Sequence, residues 1–311
     1  MALLEAKSLS MTFAGGPPWA RRSIDALREI DLNVEPGEVI GVVGESGSGK
    51  STLGNVFIGR MNPTGGQLLY RGRVVDAAAR RERAGKFAAV LQHPKWSLNP
   101  MLRVLDSVAE PLKILGRAGN RENQRRLVGH ILEQVGLPGS YQDRFPHELS
   151  GGQRQRVSIA RALITKPEFV LFDEAVSALD VSVQAHVLNM IRDLQRSSGF
   201  SAIFISHDLA ATRYVASRIA VLYAGRLVED APASNFYDTA THPYSRGLQF
   251  ASGLLDNPSN ELGLGNVILD TKGCPLAERC PLVQERCNRE DPVLRKTGNA
   301  RAACHLVEAQ G

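Results

Sequence analysis

Val39-Ile40-Gly41-Val42-Val43-Gly44-Glu45-Ser46-Gly47-Ser48-Gly49-Lys50-Ser51-Thr52 decides the fold. Its first five residues are an apolar, β-branched run too short for a helix, so a buried strand is expected. The next nine match G-x-x-x-x-G-K-S. Glycines let the backbone curl until successive amide N–H groups converge on phosphate oxygens, and the helix that follows turns its positive end to the same anion. In this pattern Lys50 is expected to reach the β and γ phosphates and the Ser51 hydroxyl to bind Mg²⁺. Gly44, Glu45, Ser46, Gly47, Ser48, Gly49 and Thr52 complete the phosphate-facing segment. A chance Gly/Ser-rich turn would lack both the preceding strand and the full motif.

Outward from this loop, residues 3–45 alternate apolar and polar positions and are broken by Ala14-Gly15-Gly16-Pro17-Pro18, which suits a small antiparallel sheet with a loop at 14–23. From about 100 to 165 the period turns helical, with Leu127, Val128, Ile131, Leu132 and Val135 on one face, and the block reads as a helical insert. Phe169-Val170-Leu171-Phe172 and Ala202-Ile203-Phe204-Ile205 are short apolar runs separated by a helix that places Val183, Val187, Met190, Ile191 and Leu194 together. Strands alternating with helices imply a parallel sheet with crossovers. Residues 219–229 add a strand pair turning at Gly225. A linker is expected over 251–270, followed by a small cysteine-bearing tail, so residues 1–250 and 251–311 form the two units of the chain.

The 311 residues suffice for one large or two modest domains. No stretch approaches the roughly 18 uninterrupted apolar residues that cross a bilayer, and Glu5 falls where a signal peptide would need an apolar core. A cytosolic chain is expected. The formal net charge of +5 is mild and fits a solvated surface with a small basic excess. All 4 cysteines lie beyond residue 270, which in a cytosolic chain points to an inorganic centre rather than a disulfide framework.

Three further segments carry chemistry. Asp173 ends an apolar strand, so its carboxylate would emerge at the carboxyl edge of the sheet and hold Mg²⁺ through water. Glu174, pointing elsewhere, is the candidate to orient and deprotonate the attacking water. Ser150, Gly151 and Gly152 precede a helix beginning near Gln153; their amides and the helix terminus make a second anion cradle. A single chain already has one cradle at 44–51. Phosphoryl transfer asks for positioning and charge neutralisation more than covalent chemistry, which is what amides, a lysine, Mg²⁺ and one carboxylate provide.

In order and spacing, the phosphate loop, Leu149-Ser150-Gly151-Gly152-Gln153-Arg154-Gln155-Arg156 and Phe172-Asp173-Glu174 resemble the ATP-binding cassette ATPases. The resemblance implies an α/β P-loop cassette with a parallel-sheet core, an antiparallel β subdomain and a helical insert. It also implies a dimer in which the Ser-Gly-Gly segment closes over ATP held by the other subunit. It assigns Gln92 to sensing Mg²⁺ and water, His207 to the γ phosphate, and Asp180 to the loop that communicates across the dimer seam. It offers Phe13 as the residue stacking on adenine, a position that could equally be core. Where the family carries proline after the strand-end glutamate, this chain has Ala175, which puts the rigidity of that loop in doubt and removes no catalytic atom.

Ser97-Leu98-Asn99-Pro100, the run Val176-Ser177-Ala178-Leu179-Asp180-Val181-Ser182-Val183-Gln184 and His242-Pro243-Tyr244 narrow the resemblance to ATPase subunits of bacterial dipeptide and oligopeptide importers. Such a subunit would sit on the cytoplasmic face of the inner membrane, beneath two transmembrane permeases. A second ATPase subunit would complete a heterodimer, or a second copy a homodimer, and a periplasmic binding protein would deliver solute. Nickel, sugar and opine importers use similar ATPases. A soluble member of the superfamily acting on nucleic acid or ribosomes would usually fuse two cassettes or insert a coiled coil, and neither is present; no nucleic-acid partner is expected. A non-hydrolytic scaffold fits poorly with Lys50, Asp173, Glu174 and His207 together.

Cys274, Cys280, Cys287 and Cys304 follow C-x5-C-x6-C-x16-C. Four thiolates suit a [4Fe-4S] cluster or a tetrahedral Zn²⁺, and the tight knuckles favoured by zinc modules are missing. The family tail with Gly273-Cys274-Pro275, Arg279-Cys280-Pro281 and Ala303-Cys304-His305 implies the cluster, in a structural role; zinc and free thiols stay open as alternatives.

Overall fold

The computed structural model describes residues 1–15, 22–76, 82–91, 98–256, 262 and 273–307. Two long strands, β1 (Leu4–Gly15) and β2 (Arg22–Val34), lead to β3 (Val39–Val43), helix α1 (Lys50–Phe57) and strands β4 (Gly65–Tyr70), β5 (Arg73–Val74) and β6 (Phe87–Val90). Helices α2 (Val104–Ile114), α3 (Arg121–Gln134) and α4 (Gly151–Leu163) follow as a block. The chain then alternates through β7 (Phe169–Asp173), α5 (Val181–Ser198), β8 (Ser201–Ile205) and α6 (Leu209–Val215). A hairpin of β9 (Arg218–Tyr223) and β10 (Arg226–Pro232) precedes α7 (Ala233–Thr239), α8 (Pro243–Ala251) and a last strand pair, β11 (Arg295–Thr297) and β12 (Ala300–Ala302).

Two sheets result. One is antiparallel, in the order β2-β1-β4-β5; the other has eight strands, in the order β11-β12-β10-β9-β3-β8-β7-β6. Strands β9, β3, β8, β7 and β6 run parallel and form the expected core, with the phosphate-loop strand near its middle. Side chains on these strands alternate between two cores. Val39, Val43, Phe172, Phe204 and Val221 face the helical layer, whereas Ile40, Val42, Leu171, Ile203 and Leu222 face α1 and the antiparallel sheet. Both faces are covered, which is why the strands read as continuous apolar runs rather than alternating ones. Complete burial of each such side chain contributes about 1.5–3 kcal/mol.

Helix α6 reaches the sheet through Gly41, where an added Cβ would lie 2.2 Å from Thr212 Cγ2. The helical block expected at about 100–165 is present as α2, α3 and α4. The strand pair expected at 219–229 is β9 and β10. Its two-residue turn puts both Ala224 (φ 49°) and Gly225 (φ 78°) in the left-handed region, as tight hairpins require. Most of the expected linker at 251–270 lies outside the described residues, as do residues 16–21 of the expected first loop. Leu262 is described, and it packs over Gly247.

The cysteine-bearing segment is tied to the large sheet. Strand β12 pairs with β10, with Asp230 opposite Arg301, and the Arg301 guanidinium donates to the buried Asp230 carboxylate at 2.6 Å. A cross-strand ion pair with one partner in the core fixes the register of that edge. Among the described residues, no helix is long and apolar enough to cross a membrane.

Candidate active site

The phosphate loop folds as its glycines predict. Gly47 and Gly49 take φ values of 78° and 104°, and Gly49 caps α1. A Cβ on Gly49 would come within 2.5 Å of the Ala26 carbonyl oxygen, so only glycine lets β2 lie against the loop. Lys50, first residue of α1, is buried; its ammonium donates to the carbonyls of Gly44 at 2.8 Å and Glu45 at 2.7 Å. Burial pulls its pKa down, opposed by the charges of Glu174, Asp173 and Glu45. The loop's own carbonyls thus hold the charge that the sequence assigns to phosphate.

The Ser51 hydroxyl donates to Asp173 Oδ1 at 3.0 Å across 122 residues of chain. The two expected Mg²⁺ ligands are therefore neighbours, because α1 starts and β7 ends at the same edge of the sheet. Burial pushes the Asp173 carboxyl up; the Ser51 hydrogen bond pulls the other way and the Glu174 charge adds to the rise. Gln92, the third expected ligand, lies outside the described residues.

Glu174 sits at φ 48°, a left-handed conformation that costs a non-glycine residue roughly 1–2 kcal/mol. Its N–H donates to Ile205 O at 3.0 Å, and its carbonyl accepts from both the amide and the hydroxyl of Ser177, at 3.2 and 2.9 Å. These bonds stiffen the turn at which the family's proline is replaced by Ala175, itself buried. The Glu174 carboxylate lies near His207, whose Nδ1 stands 3.7 Å from Glu174 Oε1. Lys50, Ser51, Asp173, Glu174 and His207 are thus gathered at one sheet edge.

Ser150, Gly151, Gly152 and Gln153 open α4 in the helical layer. The Ser150 hydroxyl accepts from the Gln153 amide at 3.3 Å, and Gln153 Oε1 accepts from the Ser150 amide at 2.9 Å, a reciprocal cap. Asp180 caps α5 in the same manner, accepting from the Val183 amide at 3.0 Å and the Ser182 hydroxyl at 2.7 Å. The Asp180 carboxyl is held below its usual range, first by the Val183 amide and then by Ser182. Gly152 packs on Val183, where a Cβ would meet Cγ1 at 2.5 Å. The two segments expected at a dimer seam therefore touch each other within one chain. Phe13 is 39% exposed, paired with Ile24 on β2 two positions before the Ala26 that abuts Gly49. That exposure is at odds with a core position.

Sequence reasoning missed four residues. The Gln184 amide donates to Asp208 Oδ2 at 2.9 Å, next to His207. The Tyr244 hydroxyl accepts the Glu45 N–H at 2.8 Å, and Arg279 forms a bidentate pair with the Glu45 carboxylate. The motif His242-Pro243-Tyr244 signalled something at 244 without saying what; Arg279 stood out only as part of the cysteine tail, with no sign that it reaches the phosphate loop.

In the tail, none of the four cysteines forms a disulfide. Burial pushes the Cys274 thiol up to about 11, with Cys287, Cys280 and Cys304 adding to the rise. Among the described residues, no group of three or more His, Cys, Asp or Glu side chains could hold a metal ion as it stands.

A strand that feeds a phosphate loop, a parallel neighbour ending in Asp-Glu, and a capped Ser-Gly-Gly helix in a separate layer define a nucleotide-hydrolysing cassette. Residues 27–177 match the family described as ABC transporter, and residues 228–287 match the oligopeptide/dipeptide transporter C-terminal region. The chain belongs to the ATPases of the ABC transporter family, in the branch that carries this C-terminal region. It is 42% identical over 304 residues to a putative peptide import ATP-binding protein of Brucella abortus, covering 93% of this chain and 89% of that one. It is 40% identical over 294 residues to the di/tripeptide transport ATP-binding protein DppF of Pseudomonas aeruginosa, with 92% and 91% covered. Among solved structures, the dimeric post-hydrolysis state of the ATP-binding cassette MJ0796 bound to ADP and Pi superposes with a TM-score of 0.66 at 29% identity, covering 74% of this chain and 98% of that one.

Proposed function

We propose that this ATPase drives an importer of small peptides. The observation that carries the reading is the match of residues 228–287 to the oligopeptide/dipeptide transporter C-terminal region, on a chain that gathers Lys50, Ser51, Asp173, Glu174 and His207 at one sheet edge. Relatives named for peptide import at about the same length support it. The cassette, residues 1–250, works from the cytoplasmic face of the inner membrane beneath two permeases, paired with a second ATPase subunit. A periplasmic binding protein presents the solute to the permeases.

In this reading residues 44–52 cradle ATP, Phe13 stacks on adenine and Lys50 turns from the loop carbonyls to the β and γ phosphates. Ser51 and Asp173, with Gln92, hold Mg²⁺. Glu174 orients and deprotonates the water, with His207 on the γ phosphate. Ser150, Gly151, Gly152 and Gln153, with Asp180, close over the nucleotide of the partner subunit. Deleting the gene should abolish uptake of labelled di- and tripeptides, and wild type but not Glu174→Gln should restore it. Restoration of nickel or sugar uptake instead would reassign the solute.

The tail, residues 251–311, is proposed to hold a [4Fe-4S] cluster on Cys274, Cys280, Cys287 and Cys304. Backbone N–H groups of Leu276, Leu282 and Leu306 donate to the sulfurs of Cys274, Cys280 and Cys304, a pattern suited to cluster thiolates. Tetrahedral zinc, at about 2.3 Å from each sulfur, needs the four thiolates packed together. A cluster holds its four thiolates farther apart. A bound cluster would supply a rigid cross-link for the tail. Cys280→Ser should remove the visible absorbance, iron and sulfide of anaerobically prepared protein; zinc in stoichiometric amount would overturn the assignment.

A further inference from the structure

Glu45 is the only acid in residues 44–52, and it stands in a loop built to receive a polyanion. An uncompensated carboxylate there would repel the phosphates that the loop amides attract. The structure supplies the compensation from the far end of the chain. Arg279 Nη1 and Nη2 each donate to one Glu45 carboxylate oxygen, both at 2.9 Å, in the bidentate geometry that makes guanidinium–carboxylate pairs strong and directional. The arginine side chain is only 15% exposed. Its guanidinium carbon lies 5.9 Å from the Tyr223 ring centroid, and the Tyr223 and Tyr244 rings pack at 4.5 Å.

Residue 45 is in consequence held at three points. Its N–H donates to the Tyr244 hydroxyl at 2.8 Å, its carbonyl accepts from Lys50 at 2.7 Å and its carboxylate is gripped by Arg279. Only the second of these contacts comes from the loop itself. Arg279 immediately precedes Cys280, and its amide donates to the carbonyl of the buried Leu276 at 2.9 Å, so the turn of the cysteine segment sets where the guanidinium stands.

We propose that Arg279 is a positioning residue for ATP, acting through Glu45: it cancels the carboxylate of the phosphate loop and fixes residue 45 so that the cradle receives the triphosphate. The tail is thereby a working part of the nucleotide site, and ATP binding and tail docking reinforce each other, as linkage requires. The inference rests on the ATP site alone and is independent of the imported solute and of what the cysteines hold.

The test uses the full-length chain assembled with its permeases and partner ATPase. Arg279→Ala should raise KM for ATP about tenfold while changing kcat less than about twofold, because an unpaired charge beside the phosphates weakens binding rather than the chemical step. The loss should be larger for ATP than for ADP and should shrink in high salt. Arg279→Lys, which keeps the charge and loses the fork, should fall between. The double variant Arg279→Ala/Glu45→Gln should recover most of the lost affinity, since no charge is left unpaired. A double variant no better than Arg279→Ala, or a fall in kcat at unchanged KM, would overturn the proposal. If Arg279→Ala does not fold, Arg279→Lys decides alone: an unchanged KM sinks the idea.

Discussion

Gln184 on α5 donates to Asp208 at the start of α6, 2.9 Å apart, while the other Asp208 oxygen caps α6 by accepting the Ala211 amide at 3.0 Å. Asp180 and Val183 begin the same α5, and Gly152 rests on Val183. His207 precedes Asp208 and faces Glu174. Contacts therefore run unbroken from the capped Ser-Gly-Gly turn to the group chosen as general base. A displacement of the α5 terminus by a partner subunit would reach the hydrolytic centre through one amide–carboxylate bond.

Removing that bond should uncouple the two ends. Gln184→Ala should lower kcat for ATP about fivefold, the worth of one ordinary hydrogen bond, and leave ATP affinity unchanged. Steady-state hydrolysis beside equilibrium nucleotide binding would check this; a change in affinity alone would contradict it.

Glu174→Gln should bind ATP normally and lose at least about a hundredfold in kcat, the usual contribution of a positioned base. The variant should also accumulate as an ATP-bound dimer on gel filtration. Undiminished turnover would remove Glu174 from the role.

Gly152→Ala should obstruct assembly without touching the phosphate loop. The new methyl would lie 2.5 Å from Val183 Cγ1 and push α4 and α5 apart, an overpacking of about 1–3 kcal/mol. ATP-driven dimerisation should weaken while the single subunit keeps its nucleotide affinity. Val183→Ala in the same chain should restore dimerisation, as analytical ultracentrifugation can measure.

His242 gives the fold a pH dependence. Fully buried, its imidazole is depressed to about 4 by loss of solvent, against an ordinary value of 6.5. Below pH 6.5 the unfolded chain takes up a proton that the folded chain refuses, so stability falls as pH drops from about 6.5 toward 4. The full effect is about 3 kcal/mol. His242 Nδ1 also accepts the Tyr244 amide at 3.1 Å, a helix cap that asparagine can replace. Thermal melts of His242→Asn between pH 7 and pH 5 should show a flatter profile than wild type; an equal slope would place the dependence elsewhere.

Much of the fold was legible because its determinants are local. Five-residue apolar strands, the glycine loop, the turn at Gly225 and the Ser150 cap each follow from backbone freedom and side-chain period within about a dozen residues. Phe13 was left between core and site because an aromatic on a strand has the same pattern in either place. Its 39% exposure, set by packing, argues against the core and leaves the stacking role a proposal.

The sequence by itself determined which chemical groups exist: a phosphate cradle, two strand-end acids, a second capped helix terminus and four thiols. The tertiary structure decided which of them meet. Ser51 reaches Asp173, Gln184 reaches Asp208, Gly152 underlies Val183 and Arg279 grips Glu45 across 234 residues. Periodicity and turn chemistry are set by near neighbours along the chain. Contacts between distant residues arise from strand order and helix packing, which bury apolar faces without regard to the polar groups carried at their ends.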